Sequence, residues 1–219
     1  MSGPALRLFW RWCAFKYLPL LADVGRDEPI LELGCGPGHV LDVLIRAGFA
    51  NVQGIDVSAE QAQLANERGL RAEATDAFDF LVSREDFYGA IVAIDFLEHF
   101  TKDELVRLVP LIHGALKSGG VLLVQTANGQ GLFPRQVIYG DFTHLTVFTP
   151  GSLAQLLRLF GFDQFRFRET GPAPLSPRGV LNLVCWRAIT GVAQFVRRVE
   201  TGKGQEIWTE NFICRAVKG

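Results

Sequence analysis

Residues 30–39, Ile-Leu-Glu-Leu-Gly-Cys-Gly-Pro-Gly-His, constrain this chain more than any other stretch. An apolar run short enough for one buried strand enters a turn with glycine at every second position, Gly34, Gly36 and Gly38. Residues 40–47 then carry helical periodicity. Glycines in such a turn accept unusual dihedrals and let the backbone lie against a ligand. In α/β sheets the turn sits at the carboxyl end of a strand, where ligands bind. Glu32 bears on the ligand's charge. A carboxylate two residues before the turn repels a pyrophosphate and attracts an ammonium group. The spacing agrees, because the dinucleotide fingerprint G-x-G-x-x-G needs glycine at position 39, which is histidine here, while the third glycine comes one residue early. The turn reads as built for a cationic, phosphate-free ligand.

Composition narrows the rest. The 219 residues suffice for one α/β domain with a substantial core, and 48% hydrophobic against 21% charged residues describes a globular chain. A net charge of −1 gives no reason to expect nucleic acid as a partner. Cys13, Cys35, Cys185 and Cys214 are far apart and lack zinc spacing, so reduced thiols in a cytoplasmic protein are expected. Residues 1–23 are rich in Leu, Phe and Trp but broken by Arg7, Arg11 and Lys16, which argues against a signal peptide. They predict a helical cap on the core or over the ligand, with peripheral membrane contact as the alternative.

Residues 51–57 predict a second strand ending at Asp56, about 20 residues beyond the turn, where an acid is placed to accept from both ribose hydroxyls of a nucleoside ligand. Ser58 and Gln61 predict a capped helix to Arg68, and Gly69 ends it. Residues 70–75 predict a third strand, followed by Asp76 and Ala77. Residues 88–94 predict a central fourth strand, apolar on both faces and leading into Asp95-Phe96-Leu97-Glu98-His99. Thr101 and Glu104 predict a capping box for a helix over 102–116. Ser118-Gly119-Gly120 predicts a turn before a fifth strand at 121–126. Residues 127–148 lose periodicity and predict a functional loop, holding Arg135, Tyr139, Asp141, Thr143 and His144. A helix over 151–160 and strands at 162–168 and 207–217 complete the sheet. Residues 179–196, extended to the arginines at 197 and 198, predict an amphipathic helix that covers the substrate site, a partner or a membrane surface.

Glu32 with Gly34, Gly36 and Gly38, the acids at 56 and 76, and the Asp-x-Leu-Glu-His run at 95–99 resemble the class I S-adenosylmethionine (SAM) dependent methyltransferases over roughly residues 24–170. The resemblance implies a Rossmann-like α/β sheet of seven mostly parallel strands with an antiparallel last strand. It implies SAM as cofactor and a domain over 24–219, with an acceptor loop at 127–148 and the helix at 179–198 as insertions. The cofactor site it implies takes Glu32, Gly34, Cys35, Gly36 and Gly38 from the first turn, and Asp56 and Val57 from the second strand end. Asp76 and Ala77 follow the third strand, Asp76 on the adenine amino group, and Asp95 and Phe96 follow the fourth. Asp-Phe-Thr-His at 141–144, Phe-Thr-Pro at 148–150 and Gly-Phe-Asp at 161–163 resemble a subgroup serving sugar or cell-surface polysaccharide pathways. O-methylation of a small molecule or sugar is therefore the expectation. N- or C-methylation and a non-catalytic SAM-binding role are the alternatives. A nucleotide-sugar dehydrogenase or epimerase is opposed by Glu32 and by the lack of Tyr-x-x-x-Lys.

An alcohol acceptor needs a base, and histidine titrates in the useful range. Of the four histidines, His39 lies at the ligand turn and His113 late in a helix. His99, after the fourth strand, and His144, oriented by Asp141, are the expected catalytic candidates. No third ligand accompanies Asp141 and His144, so no metal is expected.

Overall fold

The structure is a computed structural model that describes residues 3–219, with side chains from Leu6 onward; the first two residues of the expected cap lie outside the described residues. The chain runs through α1 (Gly3–Lys16), β1 (Ile30–Leu33), α2 (His39–Arg46), β2 (Val52–Asp56) and α3 (Ala59–Glu67). It continues through β3 (Ala72–Ala74), α4 (Ala77–Leu81), β4 (Tyr88–Ile94), α5 (Lys102–Ala115), β5 (Leu116–Ala127) and α6 (Pro134–Tyr139). It ends with α7 (Pro150–Leu159), β6 (Phe162–Glu169), α8 (Pro177–Thr201) and β7 (Asn211–Lys218). The seven strands form one sheet in the order β3-β2-β1-β4-β5-β7-β6. The pairs β1–β2, β1–β4, β2–β3 and β4–β5 are parallel, and β7 is antiparallel to both β5 and β6. This is the sheet that the sequence predicts.

Helices cover both faces, so the central strands are apolar all round. On one face Phe80, Leu105, Leu108, Ile112, Leu153 and Leu157 pack on the sheet. On the other, Leu41 and Leu44 of α2 pack with Cys13, Tyr17, Leu20 and Leu21. The helical cap is thus built into the core. β7 fastens it further: the buried Arg215 donates from Nε to the Leu20 carbonyl at 2.9 Å and pairs with Asp23.

Local chemistry explains the boundaries. Thr101 and Glu104 form the reciprocal capping box that starts α5. Ser58 accepts from the Gln61 backbone N–H at 3.4 Å, half of the expected box. The Ser118-Gly119-Gly120 turn is a register shift within a longer β5. Leu116 pairs with Tyr88 and pairing resumes at Val121 with Ala90, while Gly119 takes φ +74. Residues 207–210 do not extend β7. Gln205 Nε2 donates to the Gln130 and Ile207 carbonyls instead, and Asn128 Nδ2 donates to the Thr209 carbonyl. The loop at 127–148 contains a helical turn, α6, begun by Pro134. Helix α8 is longer than expected, capped by Ser176 at its start and by Gly202, with φ +69, at its end. None of its residues is buried, and none lines the cavity described next.

Candidate active site

The carboxyl ends of β1, β2, β3 and β4 open into a cavity of about 350 Å³. Gly34, Asp56, Val57, Asp76, Ala77, Asp95, Phe96 and His99 line it, along with Ile55, Thr75 and Phe100. Eight of the residues expected at the site therefore meet around one space.

The glycine turn has the geometry its composition demands. Gly34, Gly36 and Gly38 take φ of +67, +51 and +77, a region that a side chain strains. Their surroundings differ. A Cβ on Gly34 would lie 2.7 Å from Phe96 Cδ2, and one on Gly38 would run into Leu70 and Ala65. A Cβ on Gly36 would meet nothing closer than Gln61 Oε1 at 4.0 Å. Gly38 thus serves the packing of the turn on α3 rather than the cavity. The Cys35 side chain also turns away, and is the atom group a Cβ on Gly54 would strike. Burial pushes its thiol up to about 12.

The acids fall into two kinds. Asp56 accepts the Gly36 N–H at 2.8 Å on one carboxylate oxygen and the Ser58 N–H at 2.9 Å on the other. Each oxygen keeps a lone pair for a further donor. Asp76 accepts the Phe78 N–H at 2.7 Å and so caps α4 at the cavity wall. Glu32 is 3% exposed, and its Oε2 has no partner. Burial pushes its carboxyl well above the usual range, against the pull of the Leu41 N–H, and Asp56 adds to the rise. Asp95 takes φ +50 and its carboxyl is raised by burial, with Gln125, His144 and His99 opposing.

Gln125 links Asp95 to the cap. Its Nε2 donates to both Asp95 oxygens at 3.1 Å, and its Oε1 accepts from the Tyr17 hydroxyl at 2.9 Å. Sequence reading missed Tyr17 and Gln125. The available signal was one amide, Gln125, directly after the apolar run 121–124 of β5.

His99 and His144 stand edge to face, 5.0 Å between ring centres. Their partners differ from expectation. The Thr143 hydroxyl donates to Asp141 Oδ1 at 2.6 Å and lies 3.0 Å from His99 Nδ1. Its one hydrogen is taken by Asp141, so it accepts from His99 Nδ1–H. That assignment leaves Nε2 as the free acceptor of the cavity-lining ring. Asp141 thus orients His99, through Thr143. Its contact with His144 Nε2 is 3.9 Å, too long for a hydrogen bond. His144 Nδ1 meets the Val137 carbonyl at 2.9 Å instead. The two Thr143 bonds hold the Asp141 carboxyl below its usual range. The loop is fastened to the residues after β4: Leu145 and Thr146 N–H donate to the Glu98 carbonyl at 2.8 and 3.0 Å. His39 lies outside this group, beside Arg68 and Phe9, and His113 packs on Phe162. Among the described residues, no three of His, Cys, Asp and Glu gather as a metal set.

These residues fit SAM. Glu32, two residues before the turn, has a buried, unpartnered carboxyl oxygen, Asp56 retains lone pairs for a diol, and buried acids suit a cationic ligand.

Residues 9–164 match a family model described as a methyltransferase domain. A probable fatty acid methyltransferase of Pseudomonas putida is 26% identical over 150 residues, 65% of this chain and 38% of its own length. Cyclopropane mycolic acid synthase 1 of Mycobacterium tuberculosis is 30% identical over 118 residues, 49% of this chain and 38% of its own length. The chain thus covers well under half the length of these curated relatives. A SAM-dependent methyltransferase from Archaeoglobus fulgidus shares the fold, with a TM-score of 0.72 at 18% identity over 97% of this chain and 94% of that one. Phosphoethanolamine N-methyltransferase 2 of Haemonchus contortus, solved with SAM, does so with a TM-score of 0.62 at 16% identity over 92% and 51%. Sequence, sheet order and site agree: the chain belongs to the class I SAM-dependent methyltransferase family.

Proposed function

We propose that this chain methylates an oxygen of a small-molecule or sugar acceptor, with His99 as the base. The observation that carries this reading is the His99 ring in the cavity wall, oriented by Asp141 through Thr143. SAM, when bound, supplies an activated methyl on a sulfonium leaving group. The chain's own residues then have two tasks. Glu32, Asp56 and Asp76 hold the cofactor by charge and hydrogen bonds, and positioning supplies much of the acceleration. His99 Nε2 accepts the acceptor's hydroxyl proton as the new bond forms. Asp95 lies close enough to both histidines for its carboxyl to feel them. His144 is a positioning residue, packed against His99 and tied to the loop backbone.

Methyl transfer to a lipid acceptor is the second reading. It is favoured by two relatives named for fatty acid and mycolic acid chemistry, and by a groove of about 480 Å³ between α1 and the start of α8, lined by Leu8, Phe9 and Trp12.

The test is methyl transfer from labelled SAM across a panel of sugars, small hydroxy compounds and acyl lipids, followed by variants. His99→Ala should lower turnover by about a hundredfold or more, the usual worth of a positioned base, with cofactor affinity near the parent value. His144→Ala should mainly raise the acceptor KM. Unchanged turnover in His99→Ala would refute the base assignment and leave chemistry by positioning alone.

A further inference from the structure

Helix α8 is amphipathic in the reverse sense. Its half-buried side, with Trp186, Thr190 and Gln194, faces the domain, while Leu181, Val184, Ile189, Val192, Phe195 and Val196 are all exposed. Successive helical residues are about 100° apart, so these six and Val199 fall in one outward stripe roughly 140° wide. Leu181, Val192 and Phe195 are 62%, 67% and 69% exposed. An apolar stripe of this size on the outside of a protein marks an interaction surface.

By length and composition α8 could cross a membrane. Its fastenings hold it against the domain instead. Trp186 Nε1 donates to Glu169 Oε2 at 3.0 Å, and the Gln205 N–H donates to Gln194 Oε1 at 2.9 Å. The middle of the helix is thus tied to the end of β6 and to the segment leading back into β7. The helix lies along the domain surface.

Charge selects the occupant. Three exposed arginines, Arg178, Arg187 and Arg198, stand on α8 against one acid, Glu200, in a chain of net charge −1, while Arg197 turns toward the domain. On the helical wheel Arg187 and Arg198 fall together on one margin of the stripe, Arg178 lies within it level with Val196, and Glu200 borders the other side. Apolar stripe, a cationic margin and a helix held parallel to the surface suit an anionic bilayer, into which the stripe enters while the arginines meet phosphates. We propose that α8 docks this protein on the surface of anionic phospholipid membranes. The inference does not depend on which acceptor the active site takes.

The experiment uses the full chain. Cys185 is the exposed cysteine and lies on the stripe, whereas Cys13, Cys35 and Cys214 are buried, so a polarity-sensitive maleimide dye reports at position 185. The labelled protein is titrated with phosphatidylcholine vesicles, with and without phosphatidylglycerol. Unlabelled protein is sedimented with the same vesicles. Binding and blue-shifted dye emission are expected with phosphatidylglycerol, and both should weaken as salt rises. Phe195→Glu and Val192→Glu should each weaken partitioning at least tenfold. Arg187→Glu with Arg198→Glu should remove the preference for phosphatidylglycerol, at about fivefold per arginine lost. All of these sites are solvent-facing, and unchanged melting of the variants shows that the fold is kept. Three results overturn the proposal: no binding to phosphatidylglycerol vesicles, equal binding to phosphatidylcholine alone, or binding untouched by Phe195→Glu. A dimer in light scattering that Phe195→Glu converts to monomer, without vesicle binding, would assign the stripe to a second copy and also overturn it.

Discussion

The three turn glycines predict three different phenotypes from one substitution. Alanine at any of them meets the cost of a left-handed backbone, about 1 kcal/mol. At Gly38 the new methyl also overlaps Leu70 and approaches Ala65 to 3.2 Å, inside the packing of the turn on α3. Overpacking of this kind adds about 1–3 kcal/mol, so Gly38→Ala should lose roughly 2–4 kcal/mol. For a domain of this size that is a fall in Tm of about 5–15 °C. At Gly34 the methyl meets the edge of Phe96 at 2.7 Å, so the ring must move within the cavity wall. Gly34→Ala should therefore disturb both melting and cofactor binding. At Gly36 the nearest atom is 4.0 Å away. The fold should lose only the backbone term, about 2–4 °C in Tm. Binding should suffer instead, because the methyl enters the open side of the turn where a cofactor approaches closely. The assay is paired: thermal melting of the ligand-free protein, and calorimetry with S-adenosylhomocysteine. Gly36→Ala should weaken binding tenfold or more, with melting near the parent. Refutation would come from S-adenosylhomocysteine affinity within about twofold of the parent in Gly36→Ala, or from Gly38→Ala melting no lower than Gly36→Ala.

Asp56→Ala should weaken S-adenosylhomocysteine binding by about 2 kcal/mol or more, since a charged acceptor is lost and the Gly36 and Ser58 N–H groups lose their partner; calorimetry on the folded variant measures it. Burial raises the Glu32 carboxyl, so in the ligand-free protein it binds protons more readily folded than unfolded, and stability should fall as pH rises from the unfolded carboxyl range through the folded value. Melting curves from about pH 5 to pH 8 should show that slope flattened in Glu32→Gln, together with weaker S-adenosylhomocysteine binding; an identical slope in both proteins would remove Glu32 as its source.

What could be read in advance was local. Glycines at alternate positions, a carboxylate at a strand end and a Thr-x-x-Glu box each state their role within a few residues, and Asp56 and Glu104 make the bonds their neighbours imply. The rest depended on distant pieces of chain. Tyr17 reaches Gln125, 108 residues away, only because the cap packs beside the carboxyl end of β5. Asp141 was assigned to His144 by nearness in sequence, yet the loop's docking on Glu98 brings Thr143 across to His99. Cys35 and Gly38 share a turn with the ligand-facing glycines, and only the path of α3 and β2 beneath it shows that they serve packing. Helix α8 overruns the expected 179–198 by Pro177 and Arg178 at its start and by residues 199–201 at its end. Its outward apolar face contradicts the rule that such stripes point inward, which is where a function rather than the core shapes the sequence.

The place of β7 between β5 and β6 has a consequence for synthesis. Residues 211–218 pair with residues 121–127 on one side and 162–169 on the other, so two inner edges stay open until residues 211–218 themselves have left the ribosome. Arg215 then draws in Leu20 and Asp23, joining late residues to early ones. Such long-range closure makes folding slow and leaves the apolar edge of β5 unprotected in the nascent chain. The last strand is therefore the latch of the sheet: a chain that stalls or is cut before it would present β5 to chaperones, proteases and other copies of itself.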